Sequence, residues 1–258
     1  MKMKKILIGF CSFLMVIMMS YAQKDINQGL GVFASYNLNQ YHSEFSQLPN
    51  VPNCCPQFTN GEGSGFGAGL YYEMPFTPRL SLQFRLAYLS LAGDFSEIEY
   101  EQIIYNDELT DANIRHDLNI DLSTLSLGLY FRYKFFEGLS FLGGINGGYP
   151  IQKGFSQQEV LVQPKDYGTF ENGSRIRNVQ EGDIEDITSL LILAEIGLSY
   201  DVPLNKRQSF YLVPEMFYSF GINDVISAEK WLVSSFRVGL SVRYSTSFDF
   251  ATPLTPQN

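Results

Sequence analysis

The 258-residue chain carries 18 basic and 27 acidic side chains, a formal charge of −9 at pH 7. A surplus of that sign argues against a nucleic-acid partner, which would need a basic face. Aromatic residues make up 15% of the chain, as 16 Tyr and 21 Phe against one Trp, and after residue 22 no uninterrupted apolar run is long enough for a membrane helix.

Lys2, Lys4 and Lys5 precede an apolar run from Ile6 to Met19, and Ser20-Tyr21-Ala22 follows. Small residues three and one positions before a cut mark a secretory signal peptide, here residues 1–22 with cleavage after Ala22. The 14-residue run is shorter than the ~20 residues of a spanning helix. Cys11 lies inside that run, and the residue directly after Ala22 is Gln23 and not a cysteine, which argues against a lipid anchor. Removing three lysines and no acids leaves 15 basic and 27 acidic residues, a charge of −12.

Eight later segments alternate apolar and small or polar residues with the period of a two-faced strand. The first runs from Gly29 to Leu38, with Leu30, Val32, Ala34 and Tyr36 on one face. The second, Gly65 to Met74, sets Phe66, Leu70 and Tyr72 against three glycines. In the third, Leu80 to Tyr88 alternate with Arg79, Ser81, Gln83, Arg85 and Ala87. The fourth, reaching Phe135, sets Leu125, Leu127, Leu129, Phe131 and Tyr133 against Ser126, Arg132 and Lys134. Upstream, Ile120 and Leu122 fall in the opposite phase, which predicts a bulge or the membrane boundary near Ser123. The fifth, Leu139 to Tyr149, is glycine-rich. The sixth carries Ile192 to Tyr200 against Glu195 and Asp201, and the seventh carries Phe210 to Phe220 against Glu215, interrupted by Pro214. The eighth, Trp231 to Tyr244, sets Phe236, Val238, Leu240 and Val242 against Arg237, Gly239 and Arg243.

The connections after odd strands are long (40–63, 93–118, 151–186, 223–230), and those after even strands are short (75–78, 136–138, 202–208). Sorting by parity is what an outer-membrane barrel requires, with short periplasmic turns and longer external loops; a secreted β-sandwich shares the alternation but has no reason to sort its connections. The expected fold is all-β: an eight-stranded antiparallel up-and-down transmembrane barrel over residues 23–248, with 249–258 a short periplasmic tail and both termini periplasmic. The stretches LPNVPNCCPQF, SGFGAGLYYEMP and YLVPEMFYSFGINDVISAEKWLVSSFRVGLSVRY resemble the Gram-negative outer-membrane β-barrel domain family of the PorT-like kind. The resemblance implies the same eight-stranded fold and brings no active-site motif with it.

With the apolar faces toward lipid, the lumen receives Arg79, Arg85, Arg132, Lys134, Arg237 and Arg243 with Glu73, Glu195, Asp201 and Glu215. Counting along the strands puts Arg85, Glu195, Glu215 and Arg237 near mid-depth, where an unpaired charge costs several kcal/mol. The expected result is a salt-bridged plug, with Arg237 paired to Glu195 or Glu215 and Arg243 less constrained. The same residues could instead line a proton or small-ion path. Cys54 and Cys55 form a candidate disulfide, with a bond to another chain, free thiols and a metal site as alternatives. His42 and His116 fall near the outer rim beside Ser43, Glu44 and Asp117, but strand neighbours face opposite ways, and solvated loop positions are the plainer reading. The second and third loops are acidic without a calcium-loop spacing, and Arg175 and Arg177 stand out in the third as a candidate contact patch.

The sequence therefore reads as a non-enzymatic outer-membrane barrel that presents external loops to a partner, with no cofactor or metal motif. A narrow channel and a rim-located hydrolase acting on lipid or peptide are the alternatives. Its expected partners are outer-membrane lipid, the barrel-assembly machinery during insertion, and an unknown protein or surface ligand.

Overall fold

The structure is a computed structural model that describes residues 26–49, 51, 56–105, 108–227 and 229–248. The signal peptide, the C-terminal tail and the Cys54–Cys55 pair lie outside the described residues. The strands are β1 (Ile26–Phe45), β2 (Phe58–Pro75), β3 (Leu80–Ser90), β4 (Gly93–Tyr105), β5 (Glu108–Lys134), β6 (Leu139–Gln163), β7 (Ile176–Asp183), β8 (Leu191–Tyr200), β9 (Val202–Pro203), β10 (Phe210–Gly221) and β11 (Trp231–Phe248).

Eight of them close a ring. β1 pairs β2, β2 pairs β3, β3 pairs β5, β5 pairs β6, β6 pairs β8, β8 pairs β10 and β10 pairs β11, all antiparallel. β11 returns to β1 from Ile26↔Phe248 to Ser43↔Trp231, so neither strand keeps a free edge within the ring. Leu30, Leu70, Leu86, Leu127, Ile145, Phe236 and Val238 are among the large apolar side chains exposed on its outside. An antiparallel barrel wrapped in exposed aliphatic and aromatic side chains is built to stand in hydrocarbon, where every backbone polar group must be paired internally.

The strands run well beyond the segments that the lipid-facing alternation marks. β5 has 27 residues and β6 has 25, against the ~9–11 that cross a bilayer. Much of the second and third expected loops is therefore strand. β4 and the upper part of β5 form a hairpin, and β7 adds to the upper part of β6. These extensions rise from the end opposite Ile26, Phe248 and the short turns.

The phase change near Ser123 has a specific cause. Along β5 the even residues face inward throughout: Ser126, Tyr130 and Arg132 below, and Ile114, Leu118, Ile120 and Leu122 above, are all buried. What reverses is the medium outside. Below, Leu125, Leu127 and Phe131 are exposed to lipid; above, Arg115, Asp117, Asn119 and Asp121 occupy the outer positions and meet water. The apolar set thus switches from the outer to the inner face at the membrane boundary, while the β5 alternation continues unbroken. The bulge sits on the partner strand: Ser123 pairs Gln152 and Thr124 pairs Pro150, leaving Ile151 as the extra residue of β6.

This inversion predicts opposite tolerances on one face of one strand. Leu127→Arg should lower stability by about 2–4 kcal/mol, the cost of a cation in the lipid band. Asn119→Arg, on the same outer face beyond the boundary, should stay within about 0.5 kcal/mol. Denaturant unfolding in lipid vesicles measures both.

Candidate functional site

The interior is filled in three layers, and the middle one is built on Arg85. Its guanidinium donates to both carboxylate oxygens of Glu215, at 2.8 and 2.7 Å, and its Nε donates to Gln83 Oε1 at 2.8 Å. Four rings surround it: Phe33, Tyr71, Tyr130 and Phe217 lie with centroids 4.9, 5.2, 5.5 and 4.7 Å from the guanidinium carbon. Such rings fit a narrow tube only because glycines face them. A methyl group at Gly31 would lie 2.3 Å from the Tyr71 ring, one at Gly128 2.4 Å from Tyr130, and one at Gly197 2.5 Å from Phe217. Beside this clamp Glu195 accepts from Tyr130 Oη at 2.6 Å and Ser219 Oγ at 3.1 Å, and pairs with Arg237. All four mid-depth residues are buried. Arg85 thus takes Glu215, and Arg237 takes Glu195.

The layer nearer the termini is a closed four-membered ring of charge. Arg132 bridges Glu73 and Asp201, each at 2.8 Å, and Arg243 bridges the same two acids at 3.0 and 2.8 Å. Ser81 Oγ also donates to Glu73 at 2.8 Å. Arg243, expected to be less constrained, is therefore tied on both sides. Glu73 and Arg243 sit at one depth, opposite Gly29 and Gly31 of β1, a signal that strand register alone could have supplied. Arg79 and Lys134 do not join this layer: Arg79 is exposed in the turn before β3, and half-buried Lys134 ends β5. Within the two layers four arginines meet four carboxylates, so the buried charge cancels.

The layer at the external mouth is apolar. Trp231 packs against Tyr41, Phe45 and Phe95 with ring centroids 5.9, 5.0 and 5.8 Å apart. Leu118, Ile120 and Leu122 of β5 join them, together with Leu48, Ile184, Val225 and Ile226 from the connecting segments. Tyr41 directs its hydroxyl to the Leu91 carbonyl. Because these connecting residues all point into one core, they are parts of one packed body. This cap escapes a sequence reading of the lumen as polar. Its signal is there, in Tyr41 and Phe45 on the inward positions of β1, but both lie beyond the lipid-facing pattern.

Above the cap, the β4–β7 sheet has its own small core of Ala112, Ile114, Leu161 and Phe170. His116 is 2% exposed and so is not solvated; its Nε2 lies 3.1 Å from Glu99 and its Nδ1 3.8 Å from Glu159. His42 is exposed and meets Asn60, while its neighbour Ser43 turns inward to donate to the Phe58 carbonyl. Arg177 pairs with Glu159 at 2.5 Å and covers the Phe170 ring at 4.2 Å. Arg175 donates to the carbonyls of Leu161, Pro164, Tyr167 and Gly168. Both arginines of the candidate contact patch are thus committed within the third external segment and hold it together. Burial, with Asp121 and Asp117 nearby, holds Asp94 at the rim above the usual carboxylate range. Among the described residues no three His, Cys, Asp or Glu side chains group as metal ligands.

No protein-family model matches the sequence, so the PorT-like resemblance is carried no further, and no curated protein matches it as a relative. Solved structures with a similar outline include Ail, the attachment invasion locus protein of Yersinia pestis, at 10% identity over 86% of this chain and 100% of that one, with a TM-score of 0.35. The outer membrane protein AlkL in lipid bilayers is 12% identical over 90% and 96%, with a TM-score of 0.38. OprG from Pseudomonas aeruginosa is 12% identical over 85% and 97%, with a TM-score of 0.34. At this distance they add nothing to the closed ring of strands seen directly.

Removing one partner of a buried pair strands the other. Arg237→Leu and Arg85→Leu should each cost about 3–5 kcal/mol of unfolding free energy. Arg85→Leu combined with Glu215→Leu should recover most of the second loss; equal instability of the single and double variants would contradict the pairing. In the external sheet, Arg175→Ala should speed chymotrypsin cleavage around Phe170 and leave the barrel itself intact on a gel.

Proposed function

We propose that the chain is a non-enzymatic anchor in the outer membrane of a Gram-negative cell, with both termini periplasmic, that holds a folded external module out to a partner. The observation that carries this reading is the stacking of layers in the lumen. Two layers of mutually neutralising charge lie under an apolar cap, and an eight-stranded ring leaves room for little else. A barrel filled in this way is suited to holding its position, and its chemistry is concentrated in the material above the rim. The pairing of Ile26 with Phe248 puts the first and last described residues together at the end opposite the long extensions, which supports a periplasmic site for both termini.

The alternatives make different demands. A narrow channel would require the Trp231–Phe45–Phe95 cluster to part and the arginine pairs to reopen. A rim hydrolase would require a histidine within reach of a nucleophile, whereas His42 meets Asn60 and His116 lies between Glu99 and Glu159. The test is electrical: the purified barrel in planar bilayers should give no stable conductance steps. A large, steady single-channel conductance from the unmodified protein would overturn the sealed-anchor reading.

A further inference from the structure

We propose that the open edge of β4, from Ser96 to Gln102, is a strand-addition site. It would take an extended segment of a partner protein in which apolar and basic side chains alternate. This deepens, and rests on, the reading of the external module as a recognition surface.

Among the described residues the edge is regular and, beyond Phe95, is paired with no second strand. β4 pairs β5 from Gly93↔Ile120 to Tyr105↔Glu108 without a register shift. On its other side it meets β2 only at Gly61↔Phe95 and Glu62↔Asp94, and beyond Phe95 it has no second strand among the described residues. Between Ser96 and Tyr105 there is no Pro, Gly or Lys, the residues that commonly protect an exposed edge. β7, at the other side of the sheet, is 8 residues long, meets a register shift between Gln157 and Glu159, and contains Asn178 at φ 51. That irregular edge is poorly shaped for continuous pairing.

Which β4 groups face outward follows from one hydrogen bond. Leu91 N donates to Leu122 O at 2.7 Å, in the same register that pairs Gly93 with Ile120. Bonded pairs in an antiparallel ladder recur at every second residue, so the odd residues of β4 turn their N–H and C=O toward β5 and the even ones turn theirs away. The Ala92 carbonyl agrees, since it accepts from Asn39 Nδ2 at 2.9 Å on the far side. Ile98, Tyr100 and Gln102 therefore present backbone donors and acceptors to the open side.

Side chains specify what fits there. On the outer face, Ile98 is 49% and Tyr100 79% exposed. On the inner face stand Glu97, Glu99 and Glu101; Glu99 is engaged by His116, and among the described residues Glu97 accepts from Thr59 Oγ1 at 3.2 Å and Glu101 lies 4.0 Å from Arg177. An added strand would place apolar side chains beside Ile98 and Tyr100 and, at alternate positions, basic ones beside Glu97 and Glu101. A second copy of this chain fits poorly, because antiparallel β4 edges would set these acids against their equivalents. The whole 93–118 hairpin carries eight acids and one arginine.

The test uses the full chain in lipid nanodiscs at about 0.15 M salt. The probes are a blocked eight-residue peptide of alternating Lys and Val, its analogue N-methylated at alternate residues, and a Glu–Val peptide. The Lys–Val peptide should bind saturably by fluorescence anisotropy. N-methylation should weaken it about tenfold, the worth of a net hydrogen bond or two, and the Glu–Val peptide should bind at least that much more weakly. Tyr100→Pro removes an outward N–H and leaves the β5 ladder whole, so it should also weaken binding about tenfold. Absence of Lys–Val binding, equal binding of the methylated peptide, or an unaffected Tyr100→Pro barrel of unchanged gel mobility would overturn the proposal. So would a Tyr100→Cys chain that crosslinks to itself and excludes the peptide. If Tyr100→Pro fails to fold, the methylated peptide on the unaltered chain decides. Loss of peptide binding with the bilayer conductance still closed would sink the edge site and leave the anchor reading standing.

Discussion

The constraint on which the rest of this molecule depends is that hydrocarbon offers no hydrogen bonds. A sheet in lipid must close, and β1 against β11 completes the ring. Closing at eight strands leaves an interior only wide enough for side chains, and an interior that cannot be emptied has to be packed and neutralised. The glycines of the inward faces answer the first need: Gly31, Gly128 and Gly197 clear the space into which Tyr71, Tyr130 and Phe217 lean. Those rings then surround Arg85, so packing and charge are met by one cluster. A buried ion pair is weak evidence of stability, because desolvation offsets much of the attraction. Here the alternative is a stranded charge in a closed tube, and each arginine has its carboxylate.

A second constraint follows where the strands leave the lipid. With water on both sides of the wall, apolar residues gain only by turning inward, and Leu118, Ile120 and Leu122 do so. The outcome is a small protein core stacked on a membrane barrel, sharing its strands. Segments that connect one strand to the next become structural parts of the cap, through Leu48, Ile184, Val225 and Ile226. A surface built in this way is pre-ordered, and a partner would not have to supply the entropy of ordering loose loops. It also leaves β4 as an edge held at fixed position above the rim, which a bare loop could not provide.

Lumen and module therefore divide the work. Below the rim, charges of opposite sign are matched inside the chain, four arginines to four carboxylates. Above it the balance is one-sided, with the acids of β4 and β5 far in excess of Arg115, and water solvates the exposed carboxylates. The two arginines that stand out in the third segment do not alter this, since Arg177 is bound to Glu159 and Arg175 to backbone carbonyls.

The sequence by itself determined the barrel, because lipid imposes one sign on every outer face and a strand repeats it every second residue. It also determined most of the lumen: Arg85, Glu195, Glu215 and Arg237 could be placed at one depth by counting, whereas Arg79 and Lys134, at the strand ends, are counted in by the same rule and stay outside the charged layers. It could not say which acid each arginine takes, since partners more than a hundred residues apart, such as Arg85 and Glu215, are chosen by the shear of the ring. Nor could it show the extensions as strands, the cap, or burial of His116. Above the boundary the outer medium becomes water, the apolar residues change faces, and the rule that made the lower strands legible is reversed. Only the tertiary structure carries the register across that reversal, and with it the direction in which the free β4 hydrogen bonds point.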